Sequence, residues 1–230
     1  PRFFPMLTTA AGTIRPASVL VIGAGVAGLQ AMATARRLGA NVTGYDVRPE
    51  TVEQIKSLGA KFLDLGVEAV GEGGYARALT DEEKLTQQQN LAKHLTAVDV
   101  LITTAAVPGR PAPRIITAEM VNDMKAGSVI VDMALETGGN VEGAVPGEDT
   151  TTENGVTILG DTSLENTVAT HASQVLAANF SARITHFWDE ESKSLKLDRE
   201  DEVLQGCPIT HDGAIVHVRF VPKPADSADS

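Results

Sequence analysis

Three glycines and a carboxylate carry the chemistry that this sequence offers. The glycines stand as Gly23-x-Gly25-x-x-Gly28, directly after the apolar run Ser18 to Ile22 and directly before the helix-forming stretch Leu29 to Leu38. Strand, glycine turn and helix in that order make a cradle for a pyrophosphate. Gly23 allows the tight turn, Gly25 lets backbone approach the phosphates, and Gly28 lets helix and strand pack closely. The helix N-terminus adds unpaired N–H groups and the positive end of its dipole. Asp46 closes a second apolar run, Asn41 to Tyr45, eighteen residues after Gly28. A carboxylate there accepts both hydroxyls of an adenosine ribose and repels a 2′-phosphate, which favours NAD over NADP. Arg48, two residues on, is a cation that could hold such a phosphate.

The rest of the chain supplies the elements that must position these groups. Pro49 suits the first turn of a second helix with Val52, Ile55 and Leu58 on one face, closed by Gly59. Lys61 to Leu65 reads as a third strand. The segment Gly66 to Ala78, with Gly71, Gly73, Gly74 and Tyr75, is too long and glycine-rich for a routine connection and reads as a lid or a disordered loop. Thr80-Asp-Glu-Glu83 is a capping box opening a polar helix that reaches Thr96. Strands at Val98 to Thr104, Ser128 to Ala134 and Gly155 to Gly160 follow, with a short helix at Thr117 to Lys125. The loops Ala105 to Pro113 and Glu136 to Gly139 then fall at the carboxyl edge, where open α/β sheets bind ligands.

This alternation predicts an α/β fold, a doubly wound parallel sheet of strand order 3-2-1-4-5-6. Residues 1–165 are expected to form a Rossmann NAD(H)-binding domain with a lead-in segment, 1–17. Residues 166–221 hold a helix from Thr167 to about Arg183, with Val168, Ala172, Val175 and Ala178 on one face, and strands at Ser194 to Leu197 and Ala214 to Phe220. Residues 222–230 read as a disordered tail.

Composition narrows the function classes. Hydrophobic residues at 43% and charged residues at 21% are those of a globular chain rather than a disordered or membrane-embedded one. Thirty acidic residues against nineteen basic ones give a net charge of −11, a surface that repels nucleic acid and anionic lipid. The single cysteine, Cys207, excludes an intrachain disulfide and suits a reducing compartment. The chain opens on Pro1 rather than Met and reads as a piece of a longer protein. The histidines, His94, His171, His186, His211 and His217, show no metal-ligand spacing. No acid, base or nucleophile stands out, so no catalytic residue and no metal site are assigned.

Beyond the glycine motif, several stretches resemble the NAD(H)-binding component, domain I or alpha subunit, of proton-translocating NAD(P) transhydrogenases. They are Arg2 to Ile14, Val26 to Ala31, Asp46-Val-Arg48, Gly73-Gly-Tyr-Ala76, Thr103 to Pro113, Glu119-Met-Val121, Met124 to Asp132 and Thr210 to His217. The resemblance covers the second, dinucleotide-binding half of that component; the family has another α/β domain upstream. Two stretches depart from the family pattern, Val141 to Val145 and Asp161 to Thr167. Alanine dehydrogenase is related in fold, but it typically has an aspartate at Glu136 and lacks the long Gly66 to Ala78 loop. A non-catalytic NAD-binding module is the remaining alternative.

The resemblance implies cofactor contacts at Val26, Asp46, Val47, Arg48, Gly74, Gln87 and Ala106, beside Gly23, Gly25 and Gly28, with Tyr75 on a loop that folds over the nucleotide. It implies direct hydride transfer between NADH and an NADP+ held on a partner component, coupled to proton passage through a membrane component. It further implies a homodimer on the cytoplasmic or matrix face of an energy-transducing membrane. On this reading residues 166–221 pack toward the upstream domain.

Overall fold

The computed structural model describes residues 2–71, 76–107, 110–198, 200–217 and 220. The chain divides into two units, Pro1–Ser163 and Leu164–Ser230.

The first unit opens with a hairpin, β1 (Leu7–Thr9) and β2 (Gly12–Ile14), and continues through β3 (Ser18–Ile22), α1 (Val26–Arg37), β4 (Asn41–Tyr45), α2 (Thr51–Ser57) and β5 (Lys61–Phe62). Then follow α3 (Asp81–Leu95), β6 (Val100–Thr103), α4 (Ala118–Asn122), β7 (Val129–Asp132), β8 (Thr150–Thr151) and β9 (Thr157–Leu159). Seven strands form one sheet in the order β5-β4-β3-β6-β7-β9-β8. The six strands expected from the sequence pair in parallel in the expected order, and β8 adds an antiparallel edge strand. The opening hairpin and β8 are additions to the expected pattern. The third strand of that pattern is only two residues long, because Asp64 turns the chain by accepting from the Gly66 N–H at 2.8 Å.

β3 sits at the centre of the sheet and is buried on both faces. Val19 and Val21 face the layer that holds Met32 and Ala35 of α1 and Ile55 of α2, while Leu20 and Ile22 face Leu91 and Leu95 of α3 and Met120 of α4. Each of these four residues is at most 2% exposed, and burial of such side chains stabilises by about 1.5–3 kcal/mol apiece. A continuous apolar run is what a doubly covered parallel strand requires. At the amino edge Asp99 gathers the lead-in segment. Its carboxylate accepts the Ser18 N–H at 2.9 Å and pairs with Arg2 at 3.2 Å. Phe4 packs on the α1 face, whereas Phe3 is exposed.

The glycine-rich loop is anchored at both ends. Val67 and Ala69 are buried, the Ala69 N–H donates to Val47 O at 2.7 Å, and Arg77 forks onto Glu83 while reaching Glu68 O at 3.2 Å. Thr80 and Glu83 form the expected capping box of α3.

The second unit contains α5 (Ala169–Phe187), the hairpin β10 (Trp188–Asp189) and β11 (Ser194–Leu195), α6 (Glu202–Gln205), and the hairpin β12 (Thr210–His211) and β13 (Ala214–Ile215). A 3-10 turn over Leu164–Val168 leads into α5, which runs four residues past its expected end at Arg183. His186 bonds Asp201 at 2.8 Å, and Asp201 caps α6. Phe187 is buried, but Val168, Val175, Leu176, Phe180 and Ile184 are each more than half exposed. The tail 222–230 lies outside the described residues.

The tightest point of the first unit is testable. A β-carbon at position 28 would lie 1.7 Å from the Gly23 carbonyl oxygen. Gly28→Ala is therefore expected to destabilise the chain by about 1–3 kcal/mol, read as a lower urea midpoint at unchanged slope. An unshifted midpoint would show that the turn yields without cost.

Candidate functional site

The glycine turn lies where β3 ends. Gly23 takes a φ of +97°, a conformation that side-chain-bearing residues rarely adopt, and its N–H donates to Tyr45 O at 2.8 Å. The first helical hydrogen bond of α1 runs from Leu29 N–H to Gly25 O at 2.9 Å, and no side chain caps the helix. A β-carbon on Gly25 would meet nothing within 4 Å, and Val26 is 91% exposed. Open space therefore adjoins an uncapped helix N-terminus, which fits a diphosphate. Thr104, just beyond β6, seals the turn from the other side: its hydroxyl lies 3.2 Å from both Ile22 O and Gly23 O.

Asp46 sits beside this turn, at the end of the neighbouring strand. Its Oδ2 accepts the Ala24 N–H at 2.7 Å, and its Oδ1 accepts the Arg48 N–H at 2.9 Å. The Arg48 guanidinium adds a fork, Nε to Oδ1 at 3.0 Å and Nη2 to Oδ2 at 2.8 Å. Burial pushes the Asp46 carboxyl up, but Arg48 and the two backbone donors outweigh it and hold the group below the ordinary carboxylate range. It stays ionised at neutral pH.

Tyr45, one residue earlier, points to the α3 face and is 2% exposed. Its hydroxyl accepts from Gln87 Nε2 at 2.8 Å, and burial pushes the phenol up to about 12. Gln87 is itself buried, so its amide bonds the chain's own Tyr45. Val47 is half-buried against the core and Ala106 is exposed at the carboxyl edge. Gly74 and Tyr75 lie outside the described residues. Gly23, Gly25, Val26, Gly28, Asp46, Val47 and Arg48 thus cluster at the ends of β3 and β4.

Across the same edge stands a bracket that the sequence motifs do not reveal. The Asp132 carboxylate accepts the N–H groups of Ala134 at 3.0 Å, Asn140 at 2.6 Å and Val141 at 3.0 Å. Asn140 is fully buried; its Nδ2 donates to Ala105 O at 2.8 Å and Pro113 O at 2.9 Å, and its Oδ1 accepts the Ala105 N–H at 3.1 Å. One side chain therefore ties together both ends of the loop that carries Ala106. Two depressions of about 190 Å³ and 300 Å³ flank Glu142 near α4, and neither includes the glycine turn or Asp46. Among the described residues no group of His, Cys, Asp and Glu could hold a metal ion, and no helix is long and apolar enough to cross a membrane.

A doubly wound sheet with a glycine turn, an uncapped helix N-terminus and a strand-end carboxylate defines a Rossmann-type dinucleotide-binding domain. Residues 1–218 match the family of alanine dehydrogenase and PNT C-terminal domains, and the chain belongs to that family. It is 48% identical over 220 residues to an NAD(P) transhydrogenase subunit alpha polypeptide of Rhodospirillum rubrum, a match covering 94% of this chain and 57% of the relative. The crystal structure of transhydrogenase from Sinorhizobium meliloti superposes with a TM-score of 0.76 at 46% identity, over 94% of this chain and 57% of that one. An L-alanine dehydrogenase structure at 24% identity shares the fold, with a TM-score of 0.66 over 90% of this chain and 52% of that one. The chain spans little more than half the length of these proteins.

The bracket makes a separable prediction. Asn140→Ala strands the polar groups of Ala105 and Pro113 and is expected to cost about 2–4 kcal/mol by chemical denaturation. Asn140→Asp keeps the acceptor but sets an oxygen against two carbonyls, so it should cost at least as much. A near-neutral Asn140→Asp would show that volume, not donation, is what matters there.

Proposed function

We propose that this chain is the NAD(H)-binding part of a proton-translocating NAD(P) transhydrogenase. In that enzyme hydride passes between NADH here and NADP+ on a partner component. The observation that carries the reading is the Asp46 carboxylate, ionised beside the glycine turn, in a chain 48% identical to a transhydrogenase alpha subunit. NAD(H), when bound, supplies the hydride itself. The chain's own residues bind and orient. The α1 N-terminus faces the pyrophosphate, Asp46 holds the adenosine ribose, and the Asn140 bracket keeps the Ala105 to Pro113 loop in place beside them. Direct transfer between nicotinamides needs no proton moved on substrate. That accords with a site in which no residue is assigned as an acid or base.

The assembly is a further part of the proposal. The chain works as a homodimer at the cytoplasmic or matrix face of an energy-transducing membrane, beside an NADP(H)-binding component and a proton-conducting one. The exposed apolar residues of α5, Val175, Leu176, Phe180 and Ile184, are covered by the upstream α/β domain. That domain also supplies the far wall of the nicotinamide cleft.

Two measurements test this reading. The chain is expected to bind NADH more tightly than NADPH by calorimetry, and Asp46→Asn to narrow the difference by roughly tenfold, since the repulsion of a 2′-phosphate is removed. Equal or tighter NADPH binding by the wild type refutes the assignment. In the second, the 230 residues are assayed for reduction of an NADP analogue by NADH with an NADP(H)-loaded partner component. Little transfer is expected without the upstream domain, because misplacing the ring by about 1 Å can cost roughly a hundredfold in rate. Adding the domain in cis or as a separate chain should restore it, and full activity without it would show that these residues alone position the ring.

A further inference from the structure

The hydrogen bonds around Asp46 raise a problem of capacity. A carboxylate offers about four acceptor positions. Here four donors already use them: Ala24 N–H and Arg48 Nη2 on one oxygen, Arg48 N–H and Arg48 Nε on the other. A ribose that is to donate two hydroxyls to Asp46 must displace two of these.

The four are not equally displaceable. The Ala24 N–H belongs to the glycine turn, which is fixed by the Gly23 hydrogen bond to Tyr45 O and by the Thr104 hydroxyl. The Arg48 N–H belongs to a turn held by Thr51, whose N–H and hydroxyl both bond Arg48 O, at 3.1 Å and 2.7 Å. Neither can leave without opening the edge of the sheet. The guanidinium hangs on a flexible stem, and its side chain remains 19% exposed against 8% for Asp46. Its two donors match two ribose hydroxyls in number.

We propose that Arg48 is an internal competitor for the ribose site: nucleotide binding exchanges its guanidinium fork for the two ribose hydroxyls. Resting on the NAD(H) reading above, this makes Arg48 a specificity-determining residue by two routes. Pairing with Asp46 weakens NAD(H), because a charge-assisted bidentate contact has to be broken first. Once displaced, the same cation is at hand for a 2′-phosphate and offsets part of the repulsion from Asp46. The selectivity of the wild type is then a balance between a carboxylate that rejects the phosphate and an arginine that tolerates it.

The test is binding of NADH and NADPH to the 230-residue chain and to Arg48→Gln and Arg48→Ala, by calorimetry. Both variants are expected to bind NADH roughly three- to tenfold more tightly and NADPH roughly tenfold more weakly, so the preference sharpens. A second readout needs no variant. The Nε–H resonance of Arg48, shifted by its bond to Asp46, should move toward the position of a solvated guanidinium on saturation with NADH. Variants that bind NADH no better than wild type, or an Nε–H signal unmoved by saturating NADH, overturn the inference while leaving NAD(H) binding standing. A wild-type chain that binds no NADH overturns both this inference and the function on which it rests.

Discussion

The absence of a side chain at position 28 is the constraint on which the first unit depends. With 1.7 Å between the place of a β-carbon and the Gly23 carbonyl, α1 starts as close to the end of β3 as backbone allows. That approach turns Ala24 inward, so that its N–H reaches Asp46 on the adjoining strand at 2.7 Å. It also presents the uncapped helix end and the carboxylate on one side of the sheet. A wider turn would separate the phosphate-facing backbone from the ribose-facing acid, and the two ends of one dinucleotide half could not be held together.

The opposite side of the switch between β3 and β6 is held by different means. No glycine motif operates there. Instead Asp132 collects three backbone N–H groups and Asn140 spans the loop after β6, both groups buried and both bonded to main chain. Buried polar groups of this kind are stabilising only when fully satisfied, and satisfaction then permits a single loop geometry. The carboxyl edge thus combines a steric device on one side with a hydrogen-bonding device on the other.

Much of this is legible in the sequence because it is local. The glycine spacing, Asp46 at the end of its strand, the Thr80 capping box and the order of six parallel strands all follow from patterns within a few tens of residues. What escapes depends on distant pairing. The Asn140 bracket spans up to thirty-five residues and the Gln87 to Tyr45 bond forty-two, and an isolated Asn or Gln carries no mark of such a partner. Strands read from hydropathy come out too wide, since apolar residues continue past the last ladder hydrogen bond into the core. In α5 the spacing of Val168, Ala172 and Val175 marks an apolar face, but periodicity reports a face, not what covers it.

The position of β3 has a consequence for how the chain acquires its fold. This strand is first in the sheet by sequence and central in space, and its partner β6 lies about eighty residues away, as the Ser18 to Asp99 bond shows. During synthesis β4 arrives early and pairs with one side. The other side keeps a row of unpaired N–H and C=O groups, flanked by apolar side chains on both faces, until Thr103 has left the ribosome. At about 5–20 residues per second that interval lasts several seconds. For that time the best-buried strand of the finished protein is an open edge, the kind that recruits other chains. The polar helix α3, with its own capping box, is made within that interval and can form from local contacts alone. Its Leu91 and Leu95 then cover the α3 face of β3 before the edge is closed.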